Sequence, residues 1–222
     1  AHSKQISRAA TLLLTARRPI IYTGGGVVLS GAAKQLTTLV ERLGHPCTNT
    51  LMGLGALPSD HPRFLGMLGM HGTYEANMAM YECDVMLAVG ARFDDRVTGD
   101  LKKFSPHAKI IHIDIDPASI GKNVSVEVPI VGDASAALEQ LLEALSQSKT
   151  QQDEQSLSQW WEQIKSWRSR DSLGYDGSDD VIKPQFVVEK LHEVTLGDAF
   201  VTSDVGQHQM WAAQYYGFNK PR

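Results

Sequence analysis

The fold is decided by the stretch Val85-Met86-Leu87-Ala88-Val89-Gly90-Ala91-Arg92-Phe93-Asp94-Asp95-Arg96. Its first five residues form a continuous apolar run, which is typical of a strand buried on both faces of a parallel sheet. The glycine, arginines and aspartates that follow would then lie at the carboxyl end of that strand. Because ligands of open parallel sheets bind outside these ends, the stretch indicates both an α/β fold and a candidate binding site.

Further apolar runs flank this stretch on both sides. They cover residues 19–22, 46–51, 109–115 and 128–131. Segments in which apolar residues recur at helical spacing lie between and beyond them, at 6–17, 31–43, 73–83 and 133–145. Strands that alternate with helices predict a parallel sheet flanked by helices on both faces. The predicted fold class is therefore α/β, a three-layer αβα, Rossmann-like unit over residues 1–146.

A second, smaller unit is predicted toward the C-terminus. Residues 147–160 are mostly polar and indicate a linker. After it, residues 184–194 predict a helix and residues 199–202 a strand. We therefore expect residues 161–222 to begin another α/β segment, which is incomplete at Arg222.

Composition narrows the classes of function. Of the 222 residues, 42% are hydrophobic and 21% charged, which is ordinary for a soluble globular protein. The formal net charge of −4 disfavours a nucleic-acid partner, which would usually leave a basic footprint. No apolar run approaches the roughly 20 residues that span a bilayer, so no membrane association is expected. Cys47 and Cys83 indicate two buried thiols in a reducing compartment rather than a disulfide, and therefore a cytoplasmic protein.

Glycines follow the first apolar run, as Gly24-Gly25-Gly26. Glycine lets the backbone turn sharply and approach a ligand without an intervening Cβ, and a helix start nearby offers N–H groups to a phosphate. A tight turn without a ligand would explain the same residues. The pattern is not GxGxxG, so the usual dinucleotide fingerprint is absent.

Charged residues follow three of the other predicted strands. Arg92 and Arg96 could hold phosphate oxygens through their forked donors, with Asp94 fixing them or accepting from ribitol hydroxyls. A solvated, salt-bridged loop is the alternative. Asp114 lies between isoleucines, so it needs a specific partner, and an acid at a strand end suits a ribose hydroxyl. Asp133 could contact a ligand or simply cap a helix.

Met70 and His71 are ambiguous from the sequence. A lone histidine is usually structural and a methionine usually fills the core, although Met70 could instead rest on a flat ring. Glycine turns, arginines and aspartates at several strand ends together favour a nucleotide-type cofactor. This pattern does not distinguish a flavin from a nicotinamide, and it includes no nucleophile–base pair and no cluster of metal ligands.

Three motifs carry a family resemblance: residues 71–77 (His-Gly-Thr-Tyr-Glu-Ala-Asn), residues 89–99 and residues 113–117. They closely resemble the middle domain of acetohydroxyacid synthase (acetolactate synthase) catalytic subunits. Residues 204–214 resemble the start of that family's diphosphate-binding domain. The resemblance covers essentially the whole chain, in order.

The resemblance implies two sets of cofactor contacts. The positions that match the family's FAD contacts are Gly24, Gly25, Gly26, Thr50, Leu51, Met52, Leu68, Gly69, Met70, His71, Gly90, Ala91, Arg92, Phe93, Asp94, Asp114, Ile115, Asp133 and Ala134. The positions that match its thiamine-diphosphate contacts are Val205, Gly206, Gln207 and His208.

The family joins two 2-oxo acids with loss of CO2, in branched-chain amino-acid biosynthesis, and its flavin has no net redox role. It uses thiamine diphosphate and Mg2+, and it implies a homodimer or higher oligomer with a small regulatory subunit. The family's N-terminal domain and its magnesium-binding motif are not among the 222 residues. We therefore expect a piece of a longer enzyme that is inactive alone. A pyruvate oxidase or glyoxylate carboligase type of enzyme, or a scaffold domain with an empty pocket, is the alternative.

Overall fold

The computed structural model describes residues 2–221, and this part of the chain contains a six-stranded sheet. Strands β1 to β6 span Pro19–Thr23, Cys47–Asn49, Phe64–Met67, Val85–Val89, Lys109–Asp114 and Val128–Val131. All neighbouring strands are parallel, in the order β3-β2-β1-β4-β5-β6. This order confirms the predicted parallel sheet, and it places the switch point of a doubly wound fold between β1 and β4.

Helices cover both faces of the sheet. Helices α1 to α9 span Ser3–Leu14, Gly25–Leu29, Ala33–Leu43, Tyr74–Glu82, Asp95–Thr98, Ala134–Gln147, Glu154–Arg168, Pro184–Thr195 and Gln207–Tyr215, and a short 3-10 helix spans Leu51–Gly53. The buried side chains of α1, α3 and α6 form one apolar cluster with the sheet. Those of α4 and α7 form a second cluster with it. The three-layer α/β fold predicted from the sequence is therefore confirmed.

Strand β4 explains why the apolar run that predicts it is continuous. Leu87 and Val89 belong to the cluster on the α1 and α6 side. Met86 and Ala88 belong to the cluster on the α4 and α7 side. Successive side chains of a strand point to opposite faces, so a strand covered on both faces needs an apolar residue at every position.

Part of the predicted linker is helical. Helix α7 begins at Glu154, so residues 154–160 form its first turns, and Asp153 caps it by accepting from the Ser156 N–H at 3.0 Å. Its buried side chains contact the sheet, and Trp160 Nε1 donates to Pro19 O at 2.9 Å. The sequence does not predict a helix over residues 154–160 because only one of the three buried side chains of α7, Trp160, lies within them. The division of the chain into domains stays a prediction.

The strand predicted at residues 199–202 is absent from the described chain, where these residues form no regular secondary structure. Phe200 is 93% exposed. A strand satisfies its backbone N–H and C=O groups only by pairing, and no strand of residues 2–221 lies beside this segment. The helix predicted just before it is present as α8.

His45 lies just before β2, at the amino edge of the sheet, and is fully buried. Neither ring nitrogen has a hydrogen-bond partner among the described residues. Burial, and to a smaller extent the charge of Arg63, lowers the pKa of His45 to about 3. The imidazole is therefore neutral in the folded chain at neutral pH.

We predict that the free energy of unfolding falls as the pH drops from 6.5 toward about 3. The unfolded chain binds a proton at His45 over this range and the folded chain does not, which gives a slope of about 1.4 kcal/mol per pH unit. Urea unfolding at several pH values should show a shallower slope for His45→Leu than for the wild type. His107→Leu, at an exposed site, is the control. Equal slopes for the wild type and His45→Leu would contradict the prediction.

Candidate functional site

The loops that follow β1 and β4 contact each other at the switch point. Gly24 N donates to Val89 O at 3.0 Å, and Gly26 N donates to Gly90 O at 3.1 Å. A Cβ on Gly24 would collide with Gly90 O, and one on Gly26 would lie 2.6 Å from the Gly90 Cα. Gly90 also has a left-handed φ of +57°, which favours glycine. This contact between backbones requires the glycines whether or not a ligand lies outside it.

The loop after β2 is fixed to the end of β1. Thr50 N donates to Thr23 O at 2.8 Å, and the Thr50 hydroxyl accepts from Gly53 N at 3.1 Å. A Cβ on Gly53 would lie 2.8 Å from the same Thr23 O, so the 3-10 helix lies close against the strand end. Leu51 and Met52, the first residues of this helix, have exposed side chains.

The loop after β3 is held from two sides. Gly69 N donates to Asn77 Oδ1 at 2.8 Å, and Asn77 Nδ2 donates back to Gly69 O at 3.0 Å. Met70 N donates to Arg96 O at 3.0 Å, which ties this loop to the one after β4. Met70 is 63% exposed, and His71 is exposed beside it.

The loop after β4 directs its side chains in opposite directions. Arg92 is exposed and forms an ion pair with Asp94 at 2.8 Å. Phe93 is buried with a φ of +56°, and its ring centroid lies 5.4 Å from that of Tyr22 and 5.1 Å from that of His112. Arg92 is therefore open to a ligand, whereas Phe93 anchors the loop in the core.

Besides Asp114, four of the sequence-predicted contact residues are buried: Leu68, Ala91, Phe93 and Ala134. Each of these residues is buried as a whole, so they line the edge from beneath rather than project from it. Asp133 accepts from Ala136 N at 3.1 Å and therefore caps α6. A helix cap was one of the two roles that the sequence allowed for this residue.

Asp114 ends β5 and is 9% exposed. Its Oδ1 accepts from Asp116 N at 2.9 Å, and its Oδ2 lies 3.8 Å from His112 Nε2. The partner expected for this acid is therefore a backbone N–H of the turn that follows it. Ile115, in that turn, is 70% exposed.

Exposed apolar side chains recur along the carboxyl edge of the sheet. They follow or end four of the six strands, as Leu51, Met52, Met70, Ile115 and Val131. Large apolar side chains that are exposed together on one surface usually mark a site for a ligand or a partner.

The thiamine-diphosphate candidates lie at the start of α9. Val205, Gln207 and His208 are exposed, and Gly206 is the N-cap residue of the helix. A side-chain hydrogen bond links this helix to the carboxyl edge of the sheet, because Gln214 Nε2 donates to His71 O at 2.9 Å.

A large groove lies away from the carboxyl edge of the sheet. A groove of about 670 Å³ lies at the opposite, amino edge, lined by residues that include Arg17, Asp84 and Trp160. It is open to solvent, and none of the sequence-predicted contact residues lines it. The predicted FAD contacts lie instead at the carboxyl ends of the strands. Among residues 2–221, no three His, Cys, Asp or Glu side chains are arranged to hold a metal ion. No helix in this range has the length and apolar character needed to cross a membrane.

Comparison with known proteins identifies the family. The family described as "Thiamine pyrophosphate enzyme, central domain" matches residues 6–141. The chain belongs to this family.

Curated relatives of this thiamine pyrophosphate enzyme domain match it over its whole length. It is 55% identical over 221 residues to the acetolactate synthase isozyme 3 large subunit of Escherichia coli K12. It is 51% identical over 223 residues to the acetolactate synthase large subunit of Haemophilus influenzae. It is 48% identical over 227 residues to the probable acetolactate synthase large subunit of Methanocaldococcus jannaschii. These matches confirm the resemblance seen in the motifs, and each covers 100% of the chain but 38% of the relative.

Two residues that fix loops at the site of this thiamine pyrophosphate enzyme domain were not predicted as site residues from the sequence. Asn77 holds the loop after β3 from helix α4, and no local pattern marks that contact. His112 lies fully buried in β5, two residues before Asp114. Since residues two apart share a face of a strand, this spacing was the available signal for His112.

We predict that Gly90→Ala destabilises the domain more than Gly31→Ala, by about 1–3 kcal/mol, a typical cost of overpacking. Both glycines have positive φ values, +57° and +66°. A Cβ on Gly90 would lie 2.6 Å from the Gly26 Cα, whereas a Cβ on Gly31 would have no atom within 4 Å. Urea unfolding measures both variants. Equal costs would show that the contact between the two loops does not constrain this position.

Proposed function

We propose that the chain is a piece of an acetolactate synthase large subunit and that its own role is to bind FAD at the carboxyl edge of the sheet. The parent enzyme condenses pyruvate with pyruvate or 2-oxobutyrate, with loss of CO2, in branched-chain amino-acid biosynthesis. One observation carries the proposal: glycine loops, an exposed arginine and exposed apolar side chains meet at the switch-point edge of the sheet. The whole-chain similarity to acetolactate synthase large subunits supports the parent activity.

The residues at this edge have the chemistry that FAD requires. The glycine loops 24–26 and 90–91 offer backbone to a diphosphate, and the exposed guanidinium of Arg92 can form charge-assisted bonds with it. The carboxylate of Asp114 retains acceptor capacity for a ribose hydroxyl. Exposed Met52, Met70 and Ile115 suit the flat isoalloxazine ring.

The remaining proposed contacts complete the same edge. They are Thr50, Leu51, Leu68, Gly69, His71, Phe93, Asp94, Asp133 and Ala134.

Residues 205–208 are proposed to contribute to the thiamine-diphosphate site of the parent enzyme, with Gln207 and His208 near the diphosphate. Thiamine diphosphate, held with Mg2+, supplies the carbanion chemistry of the condensation. Residues 1–146 would form the FAD-binding domain, and residues from 161 onward would begin the thiamine-diphosphate domain. Helix α7 joins the two, and its first turns occupy part of the predicted linker.

The remaining proposals concern the cellular compartment and the oligomeric state. Cys47 and Cys83 are free and buried, which suits a reducing, cytoplasmic compartment. The resemblance supports a homodimer or higher oligomer with a small regulatory subunit, which acts on 2-oxo acids.

We predict that the chain binds FAD and that Arg92→Ala weakens this binding by about 2 kcal/mol, or about 30-fold in Kd, through loss of a charge-assisted bond. Isothermal calorimetry gives the affinity, and thermal unfolding with and without FAD checks it, since a ligand of the native state raises stability. Arg8→Ala is the matched control, because Arg8 also forms an exposed ion pair, with Glu127, but lies on α1. An unchanged affinity in Arg92→Ala would assign Arg92 to a surface ion pair only.

If the wild-type chain does not bind FAD, the domain is a scaffold with an empty pocket under these conditions. If the parent enzyme prefers other 2-oxo acid chemistry, such as that of a pyruvate oxidase or a glyoxylate carboligase, substrate profiling of the parent will show it.

We also predict that the chain forms no acetolactate from pyruvate when FAD, thiamine diphosphate and Mg2+ are supplied. Val205, Gln207 and His208 are exposed rather than enclosed by other elements of a site. The full-length large subunit from Escherichia coli serves as the positive control in the same colorimetric assay. Turnover by the 222-residue chain would overturn this part of the proposal.

A further inference from the structure

We propose that His112 is a positioning residue for the FAD site. Its buried imidazole fixes the conformation of residues 90–94, and so the placement of Arg92, without contacting the cofactor itself. This inference rests on the proposed FAD-binding function.

The contact that carries the inference joins β5 to the loop after β4. His112 Nε2 lies 2.9 Å from Ala91 O, and His112 is fully buried. A carbonyl oxygen only accepts, so Nε2 carries the proton that is donated. Burial lowers the pKa of His112, which keeps the ring neutral at neutral pH with Nε2 as its donor nitrogen. The carbonyl it holds belongs to the residue directly before Arg92.

A second side chain holds the same loop from the other side of Arg92. Asn123 Nδ2, in the connection between β5 and β6, donates to Phe93 O at 2.9 Å. The carbonyls immediately before and after Arg92 are therefore each fixed by a side chain from another part of the chain. The backbone of Arg92 is thus held on both sides, although its side chain is exposed.

The loop needs such fixing because its backbone is unusual. Gly90 and Phe93 both have left-handed φ values, +57° and +56°. That conformation is unfavourable for a residue with a Cβ, so tertiary contacts must maintain it at Phe93. The Phe93 ring stands edge-on to the His112 ring at 5.1 Å, so His112 contacts the loop through its ring as well as its Nε2–H.

An apolar residue would fill the same position in β5 without this function. Ile111 and Ile113 on either side of His112 are buried apolar residues. His112 Nδ1 is buried and has no partner among the described residues, which is a cost that an apolar side chain would avoid. What the histidine adds is one N–H donor directed at Ala91 O.

The test compares FAD affinity in variants that remove or keep this donor. His112→Leu removes it, and we expect the Kd to rise by about 10-fold or more, as for the loss of one hydrogen bond that orders a site. His112→Gln carries an amide nitrogen that can take the place of Nε2, and we expect its Kd to stay within about 3-fold of the wild type. His45→Leu is the control. His45 is also fully buried but lies at the amino edge of the sheet, so this variant should leave the Kd unchanged.

The outcomes separate the two proposals. A wild-type chain that does not bind FAD overturns the proposed function. A wild-type chain that binds FAD while His112→Leu binds equally well overturns the positioning role alone, as does His112→Gln binding as weakly as His112→Leu. If His112→Leu does not fold, Asn123→Ala replaces it, since Asn123 lies at the surface, and a higher Kd is again expected. An unchanged Kd in Asn123→Ala overturns the role of the fixed loop.

Discussion

The contact between the backbones that follow β1 and β4 constrains the rest of the site. Gly24 and Gly26 approach Gly90 so closely that a Cβ on either of the first two would strike it. The contact brings together the two strand ends at which the chain reverses its direction of winding across the sheet. In folds of this kind the crevice beside that point is the place where ligands bind, so the glycines define the site by bringing its two sides together.

Backbone hydrogen bonds carry this constraint outward to the neighbouring loops. Thr23 O, at the end of β1, accepts from Thr50 N, and Arg96 O, after β4, accepts from Met70 N. The loops after β2 and β3 are thus fixed through main-chain atoms, which leaves the side chains of Met52 and Met70 exposed. An edge built in this way can present apolar side chains to a ring and the exposed Arg92 guanidinium to a diphosphate.

The sequence predicts the sheet better than it predicts the details of the site. Strand β4 lies where its apolar run predicts it, since a strand covered on both faces has a strong local signal. Helix α7 contacts the sheet through few residues, so its first turns resemble a linker. The sequence also cannot indicate that Phe93, in a charged loop, adopts a left-handed φ and enters the core. That outcome depends on Tyr22 and His112, which reach it from other strands.

Exposed apolar side chains on α8 and at the carboxyl edge of the sheet indicate different kinds of contact. On α8, Val187, Leu191 and Val194 recur at helical spacing, which is the pattern of a helix that packs against another element. At the carboxyl edge, Met70 is instead held by backbone bonds on a loop next to glycines, where its side chain does not complete a helical face. The bond from Gln214, on α9, to His71 O links the proposed thiamine-diphosphate segment to the loop that carries Met70. That loop is therefore held by a side chain from α9 as well as by the main-chain bond to Arg96 O, which leaves the exposed Met70 side chain on a fixed backbone.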